Sequence, residues 1–312
     1  MYPLVWIALT CPRPSEDDTP RRFAVLLYRQ WESIDVMGPL EALNTLSRNV
    51  SDDTRPFSLN IITPHSQPAS TAPRTGQGSL VNQQVLATHG YSYDSRNPTA
   101  DLLDGIPEAE FLLVPGGIGP PTDTGERAGV VEFIKQYYQR YLKGRKNRYL
   151  FTVCTGSGLA AEAGCLDGVY ATTNKVAWEY VTPKGPRTYW VGDARWVDQD
   201  IIFTTSGVSA GTDGFLAWLS KTYGEDVVEQ IAFGMEYNVC KDAYPPVIRI
   251  LQANLLLRSL QTLGMIHSAR SSTYGMSWAT PNYHLSDVDH KLFFVNFYHL
   301  LFLRNNGFYW SK

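Results

Sequence analysis

Tyr149-Leu-Phe-Thr-Val-Cys-Thr-Gly-Ser157 passes from an apolar run into small residues, the pattern of a buried strand that turns sharply into a helix. Cys154 stands at the turn. Such a turn lifts one side chain above the sheet edge and aims the first free helix amides at whatever that side chain attacks. The same position is expected to lower the pKa of a cysteine, because a helix N-terminus favours the thiolate. Free cysteines are also among the residues most often buried as inert packing. This stretch alone therefore leaves Cys154 as either a nucleophile or a core side chain.

Working outward, Phe111-Leu-Leu-Val-Pro-Gly-Gly117 reads as a second buried strand ending in glycines, and Ala128 to Lys143 as an amphipathic helix with a basic end. Phe23 to Tyr28 (FAVLLY) suits a first strand. A helix follows it, opening near Asp35 with Pro39 in its first turn and Leu40, Leu43 and Leu46 as apolar positions. Phe57 to Thr63 alternates like a strand, and Pro64 to Gly78 is a Ser/Thr/Pro/Gly-rich loop. Downstream, Arg195 to Ser206 reads as a hairpin, with closing helices at Ala210 to Tyr223 and Asp226 to Tyr237. The alternation predicts an α/β fold, a mostly parallel sheet sandwiched between helices, with ligands at the carboxyl ends of the strands. Gly116-Gly117 and Cys154-Thr155-Gly156 would meet there.

The 312 residues fit one large domain with additions. The expected organisation is a disordered lead over 1–21, the α/β domain over 22–240 and an atypical extension over 241–312. The apolar stretch Pro3 to Thr10 lacks a basic flank, and Pro12 and Pro14 close it quickly, which makes it a weak signal peptide. The aromatic run Lys291 to Arg304 is too short to span a bilayer, so no membrane association is expected. A formal net charge of −3 without a Lys/Arg cluster argues against nucleic acid as a partner. Cys11, Cys154, Cys165 and Cys240 show no C-x-x-C and no zinc spacing, so neither a disulfide framework nor a metal is indicated and a cytoplasmic location fits.

A cysteine nucleophile normally has a histidine base. This chain has no histidine between His89 and His267. Proton transfer then falls to a carboxylate or a water, and Asp35, just past the first strand, is the leading candidate, with Glu32 nearby. Asp35 equally suits a cap or first-turn aspartate of its own helix. The amides of Gly117, Ile118 and Thr155 are candidates for an anion hole, although Gly116-Gly117 equally suits a tight turn.

Asp35-Val-Met-Gly-Pro-Leu-Glu41, Val114-Pro-Gly-Gly117, Val153-Cys-Thr-Gly-Ser157, Leu166-Asp-Gly168, Ala171-Thr-Thr-Asn174 and Thr204-Thr-Ser-Gly-Val-Ser-Ala-Gly-Thr-Asp213 occur in one order. As a set they resemble the ThiJ/PfpI superfamily of glutamine-amidotransferase-like proteins over roughly 22–238, and within it the isonitrile hydratases. Thr155 follows Cys154 where protease-like members carry histidine, Asp35 matches the D-x-x-G-P aspartate, and Phe203 to Gly211 matches the hydratase segment. Asn174 departs from the pattern, since those hydratases carry histidine after Ala-Thr-Thr. The resemblance implies a flavodoxin-like fold with a nucleophile elbow, a homodimer, a small-molecule substrate and no metal or organic cofactor. It implies that Cys154 attacks an isocyanide to give a thioimidate, which water converts to an N-substituted formamide. Asp35 would move the protons, and Thr155 with the Gly117 and Ile118 amides would orient the reacting group. Other members perform glyoxalase or deglycase chemistry, sense redox state or bind ligands in AraC-type regulators, and these readings stay open. The regulator reading lacks a basic helix-turn-helix pair after Asn238.

Overall fold

Along the first strand, β1 (Arg22–Leu26) and the residues that continue it, Phe23, Val25 and Leu27 enter one core cluster while Ala24, Leu26 and Tyr28 enter another. A strand whose alternate residues are apolar on both sides is buried on both faces, which is the position of a central parallel strand. In this computed structural model, residues 19–50, 55–64, 69–71, 84–85, 90–117 and 124–245 are described.

After β1 come α1 (Ser33–Asn49), β2 (Ser58–Thr63), a short antiparallel pair β3 (Ala69–Ser70) and β4 (Gln84–Val85), β5 (Tyr91–Ser92) and β6 (Phe111–Val114). The second half contains α2 (Thr124–Tyr137), β7 (Tyr149–Val153), α3 (Gly156–Glu162), β8 (Tyr170–Ala171), α4 (Trp178–Val181) and β9 (Tyr189–Trp190). It closes with β10 (Trp196–Gln199), β11 (Ile202–Thr205), α5 (Val208–Tyr223) and α6 (Glu225–Gly234). Seven strands form one sheet in the order β10-β11-β7-β6-β1-β2-β5, parallel throughout except for β10. From β1 the chain winds one way to β2 and β5, then returns to β6 and winds the other way to β7 and β11. The order therefore reverses between β1 and β6, and in sheets of this kind ligands bind outside the carboxyl ends of the strands at such a reversal.

The α/β architecture read from the alternation is the one observed, a mostly parallel sheet between helices. Helices α1, α5 and α6 supply one cluster, and α2 and α3 the other. On the α5 side, Phe23, Phe111, Phe151 and Phe203 of four adjacent strands form a ladder, with successive centroids 5.4, 5.5 and 5.4 Å apart. Trp218 packs on Phe111 at 4.5 Å and Phe215 meets Phe151 edge-on at 5.7 Å. Such offset and edge-on contacts add to the burial of large apolar area.

Where boundaries differ from the sequence reading, local packing accounts for it. The helix expected over 128–143 starts at Thr124 and its last turn, Tyr138–Leu142, widens to a π-helical turn. That turn keeps Tyr137 and Leu142, five residues apart, both buried. Within the loop expected over 64–78, Ala69–Ser70 pairs with Gln84–Val85. The lead merges into the domain before residue 22, because Arg21 is buried and its N–H donates to Glu110 Oε2 at 2.7 Å. At the other end, Cys240 N–H donates to Asp213 Oδ1 at 3.0 Å and Arg195 N–H to the Ala243 carbonyl at 2.6 Å. The chain thus stays on the domain past 240. Residues 1–18 and 246–312, with the aromatic run, lie outside the described residues. Among the described residues no helix is long and apolar enough to cross a membrane.

Truncating the centre of the aromatic ladder, Phe111→Ala, is expected to lower the free energy of unfolding by about 3–5 kcal/mol in urea denaturation. Phe233→Ala, at a side chain left 87% exposed, should change it by less than about 0.5 kcal/mol.

Candidate active site

Cys154 follows β7 with φ +57°, a left-handed backbone that a non-glycine residue adopts at a cost of about 1–3 kcal/mol. Hydrogen bonds hold it there. Its N–H donates to the Thr205 carbonyl at 3.2 Å, and its own carbonyl accepts from Ser157 Oγ and Thr173 Oγ1, each at 3.0 Å. Gly156 lets α3 start hard against β6, since a Cβ there would lie 2.3 Å from the Val114 carbonyl oxygen. The elbow read from the sequence is therefore present, and it leaves the Cys154 side chain only 6% exposed.

Asp35 lies in the first turn of α1 but does not cap it; Glu32 holds the N-cap position. Its carboxyl crosses to the next strand, where Oδ2 accepts the Gly116 N–H at 2.8 Å. The Gly116 carbonyl in turn accepts the Glu32 N–H at 2.9 Å. A Cβ on Gly116 would stand 2.6 Å from Cys154 Cβ and 2.9 Å from Asp35 Oδ2. Thiol and carboxyl thus flank the same bare backbone, and any side chain there would part them. Asp35 is 0% exposed, and Oδ1 has no hydrogen-bond partner among the described residues. Burial pushes its pKa up to about 8, against the pull of the Gly116 N–H and with a further push from the Glu32 charge. At that value the protonated form predominates at neutral pH.

The sulfur accepts from Asn174 Nδ2 at 3.1 Å and from the Thr155 backbone N–H. These donors favour the thiolate, yet burial and then the ionised Asp35 push the thiol up to about 12. The lowering expected from the helix N-terminus is reversed. Helix α3 has only seven residues, and desolvation of the sulfur outweighs what its amides supply. Asn174 Oδ1 accepts from Val176 N–H at 2.8 Å and Ala177 N–H at 3.1 Å, so its amide can face the sulfur only as a donor. The sequence reading noticed Asn174 as a departure and did not place it at the sulfur. An Asn able to accept from the N–H groups two and three residues on is an Asx-turn signal, and that much was readable.

Thr155 Oγ1 accepts the Gly117 N–H at 3.0 Å and donates to the Gly117 carbonyl at 3.1 Å. Gly117 is therefore brought to the site with its amide already engaged, and donation to a reacting atom requires that bond to open. Ile118 lies outside the described residues. The donors seen at the sulfur are Thr155 and Asn174. Tyr28 Oη donates to the Pro115 carbonyl and fixes the turn that presents Gly116. All six histidines of the chain lie outside the described residues, and those residues hold no cluster of His, Cys, Asp and Glu suited to a metal.

Several known proteins are related to the chain in sequence or shape. An isonitrile hydratase from Pseudomonas putida is 30% identical over 142 residues, which are 45% of this chain and 57% of that protein's length. The chain thus spans little more than half of that relative. A ThiJ/PfpI family protein from Pseudomonas syringae superposes with a TM-score of 0.52 at 19% identity, over 81% of this chain and 95% of that one. An AraC family transcriptional regulator from Pseudomonas putida gives 0.52 at 13% identity, over 69% and 100%. Both likenesses show the fold. The model of the DJ-1/PfpI family matches residues 21–221, the whole seven-stranded sheet and the elbow included, and the chain belongs to that family.

Proposed function

We propose that this protein hydrates a small isocyanide to an N-substituted formamide through a covalent bond to Cys154. One observation carries the reading: a buried thiol and a buried carboxyl of raised pKa flank Gly116. The similarity to an isonitrile hydratase over 142 residues supports it.

The terminal carbon of R–N≡C carries a lone pair and accepts a nucleophile readily once it is protonated. Asp35 Oδ1 donates its proton to that carbon as Cys154 Sγ attacks it, and the thiol proton passes to the carboxylate. One C–S and one C–H bond form, giving R–N=CH–S, and the acid is regenerated. Water then adds across C=N, its oxygen to carbon and its proton by way of Asp35 to nitrogen. Collapse of R–NH–CH(OH)–S breaks the C–S bond, releases R–NH–CHO and returns the hydroxyl proton to sulfur through the same carboxyl. The Asn174 and Thr155 N–H groups steady the negative charge that gathers on sulfur as it attacks and leaves. Every transferred atom comes from the isocyanide, water, Cys154 or Asp35. A peroxide sensor needs an exposed thiol of depressed pKa, and the burial and raised pKa of Cys154 weigh against that role.

Incubation with an alkyl isocyanide should yield the formamide by mass spectrometry, and Cys154→Ala should yield none. Consumption of methylglyoxal without formamide formation would move the assignment to carbonyl chemistry. Because the acid form of Asp35 acts, kcat/KM should fall as pH rises through about 8, and Asp35→Asn should lower kcat by about 100-fold or more. Stability reports the same proton independently. Between the ordinary value of 3.8 and about 8, the folded state keeps a proton on Asp35 that the unfolded state has lost. Wild-type stability should therefore decline across that window relative to Asp35→Asn, read as urea midpoints at several pH values. Parallel pH curves for the two proteins would show that Asp35 titrates normally.

A further inference from the structure

Cys154 is gripped from the side by the segment between β8 and α4. Two consecutive residues make the contact, Thr173 through its hydroxyl to the Cys154 carbonyl and Asn174 through its amide to the sulfur. The next residue, Lys175, is 7% exposed, unusual for a lysine. Its Nζ donates to Thr172 Oγ1 at 2.7 Å and to the Thr173 carbonyl at 3.3 Å, and lies 5.2 Å from the centre of the Trp178 ring. Thr172 is itself anchored. Its N–H donates to Thr204 Oγ1 at 2.9 Å, and its hydroxyl donates to the Val191 carbonyl at 2.8 Å.

These bonds close a ring. The Cys154 N–H donates to the carbonyl of Thr205 on β11, Thr204 beside it holds Thr172, Lys175 ties Thr172 back to Thr173, and Asn174 between them returns to the sulfur. An Asx turn fixes which way the Asn174 amide points, but the turn needs its own tether to the sheet to keep the amide on Sγ. We infer that Lys175 is a positioning residue that braces the Thr172–Asn174 turn, itself tethered to β11 by the Thr172 N–H, and so holds the Asn174 donor on the Cys154 sulfur. Burial pulls the Lys175 ammonium down to about 7 while the Asp193 charge pushes it back up. The amine and the ammonium both carry the two N–H groups that the two acceptors require, so the brace survives either form. The inference concerns the thiol and stands apart from the choice of substrate.

The test is alkylation of Cys154 by iodoacetamide, followed by peptide mass mapping in wild type, Asn174→Ala, Lys175→Met and the double variant. Losing the Asn174 hydrogen bond lowers the thiolate fraction and is partly offset by greater nucleophilicity, so Asn174→Ala should react about two- to fivefold more slowly near pH 8. Lys175→Met should slow alkylation by a similar factor, and the double variant should be no slower than Asn174→Ala alone. Lys175→Gln, which keeps an N–H donor, should recover part of the rate. Wild-type alkylation by a folded Lys175→Met would overturn the inference, as would a double variant slowed by both factors in full. If the lysine variants do not fold by circular dichroism, Thr172→Val removes the acceptor instead and is read in the same way. Formamide production plays no part in this readout, so its failure and the failure of the proposed reaction are separable.

Discussion

Keeping Asp35 out of water is the constraint on which the site depends. A carboxyl in a polar crevice would ionise and repel a nearby thiolate. Buried in the first turn of α1 and held by one backbone N–H, it remains an acid at neutral pH. The same burial that keeps a proton on the carboxyl also keeps the thiol protonated, so the resting pair is neutral. In the proposed reaction, the coupling of proton transfer to nucleophilic attack would follow from this desolvation.

Two features of the fold maintain that burial. The reversal of strand order between β1 and β6 brings the end of β6 over the start of α1, and Gly116 lets backbone pass where a side chain would push Cys154 and Asp35 apart. The left-handed turn at Cys154 is costly on its own and persists because Thr205 of β11, Ser157 of α3 and Thr173 of the segment after β8 hold its backbone. The Cys154 side chain belongs to the same core cluster as the aromatic ladder and α5, so the site rests on closely packed rings.

Much of the architecture was legible because strands buried on both faces announce themselves as short apolar runs. Tyr149–Val153 and Phe111–Val114 fall where their patterns place them. The elbow cysteine and the aspartate were legible as residues, since a thiol in a small-residue turn and a carboxyl ahead of Gly-Pro are unusual locally. Their partners were not. Gly117 was read as an anion-hole donor, and in the fold its amide serves Thr155. Asn174 was read as a departure, and in the fold it donates to the sulfur. The direction of the thiol pKa was read from a local rule about helix ends, and that rule was outweighed by burial, which no short stretch of sequence displays.

The sequence by itself determined the alternation of strands and helices, the elbow with Cys154 at its turn, and the family to which the chain belongs, because these depend on periodicity and short motifs confined to neighbouring residues. Only the tertiary structure decided that Asp35 is buried with its pKa raised, that Gly116 stands between it and Cys154, and that Asn174 donates to the sulfur. Those facts come from desolvation and from contacts between residues tens of positions apart, and such energies are set by which surfaces meet.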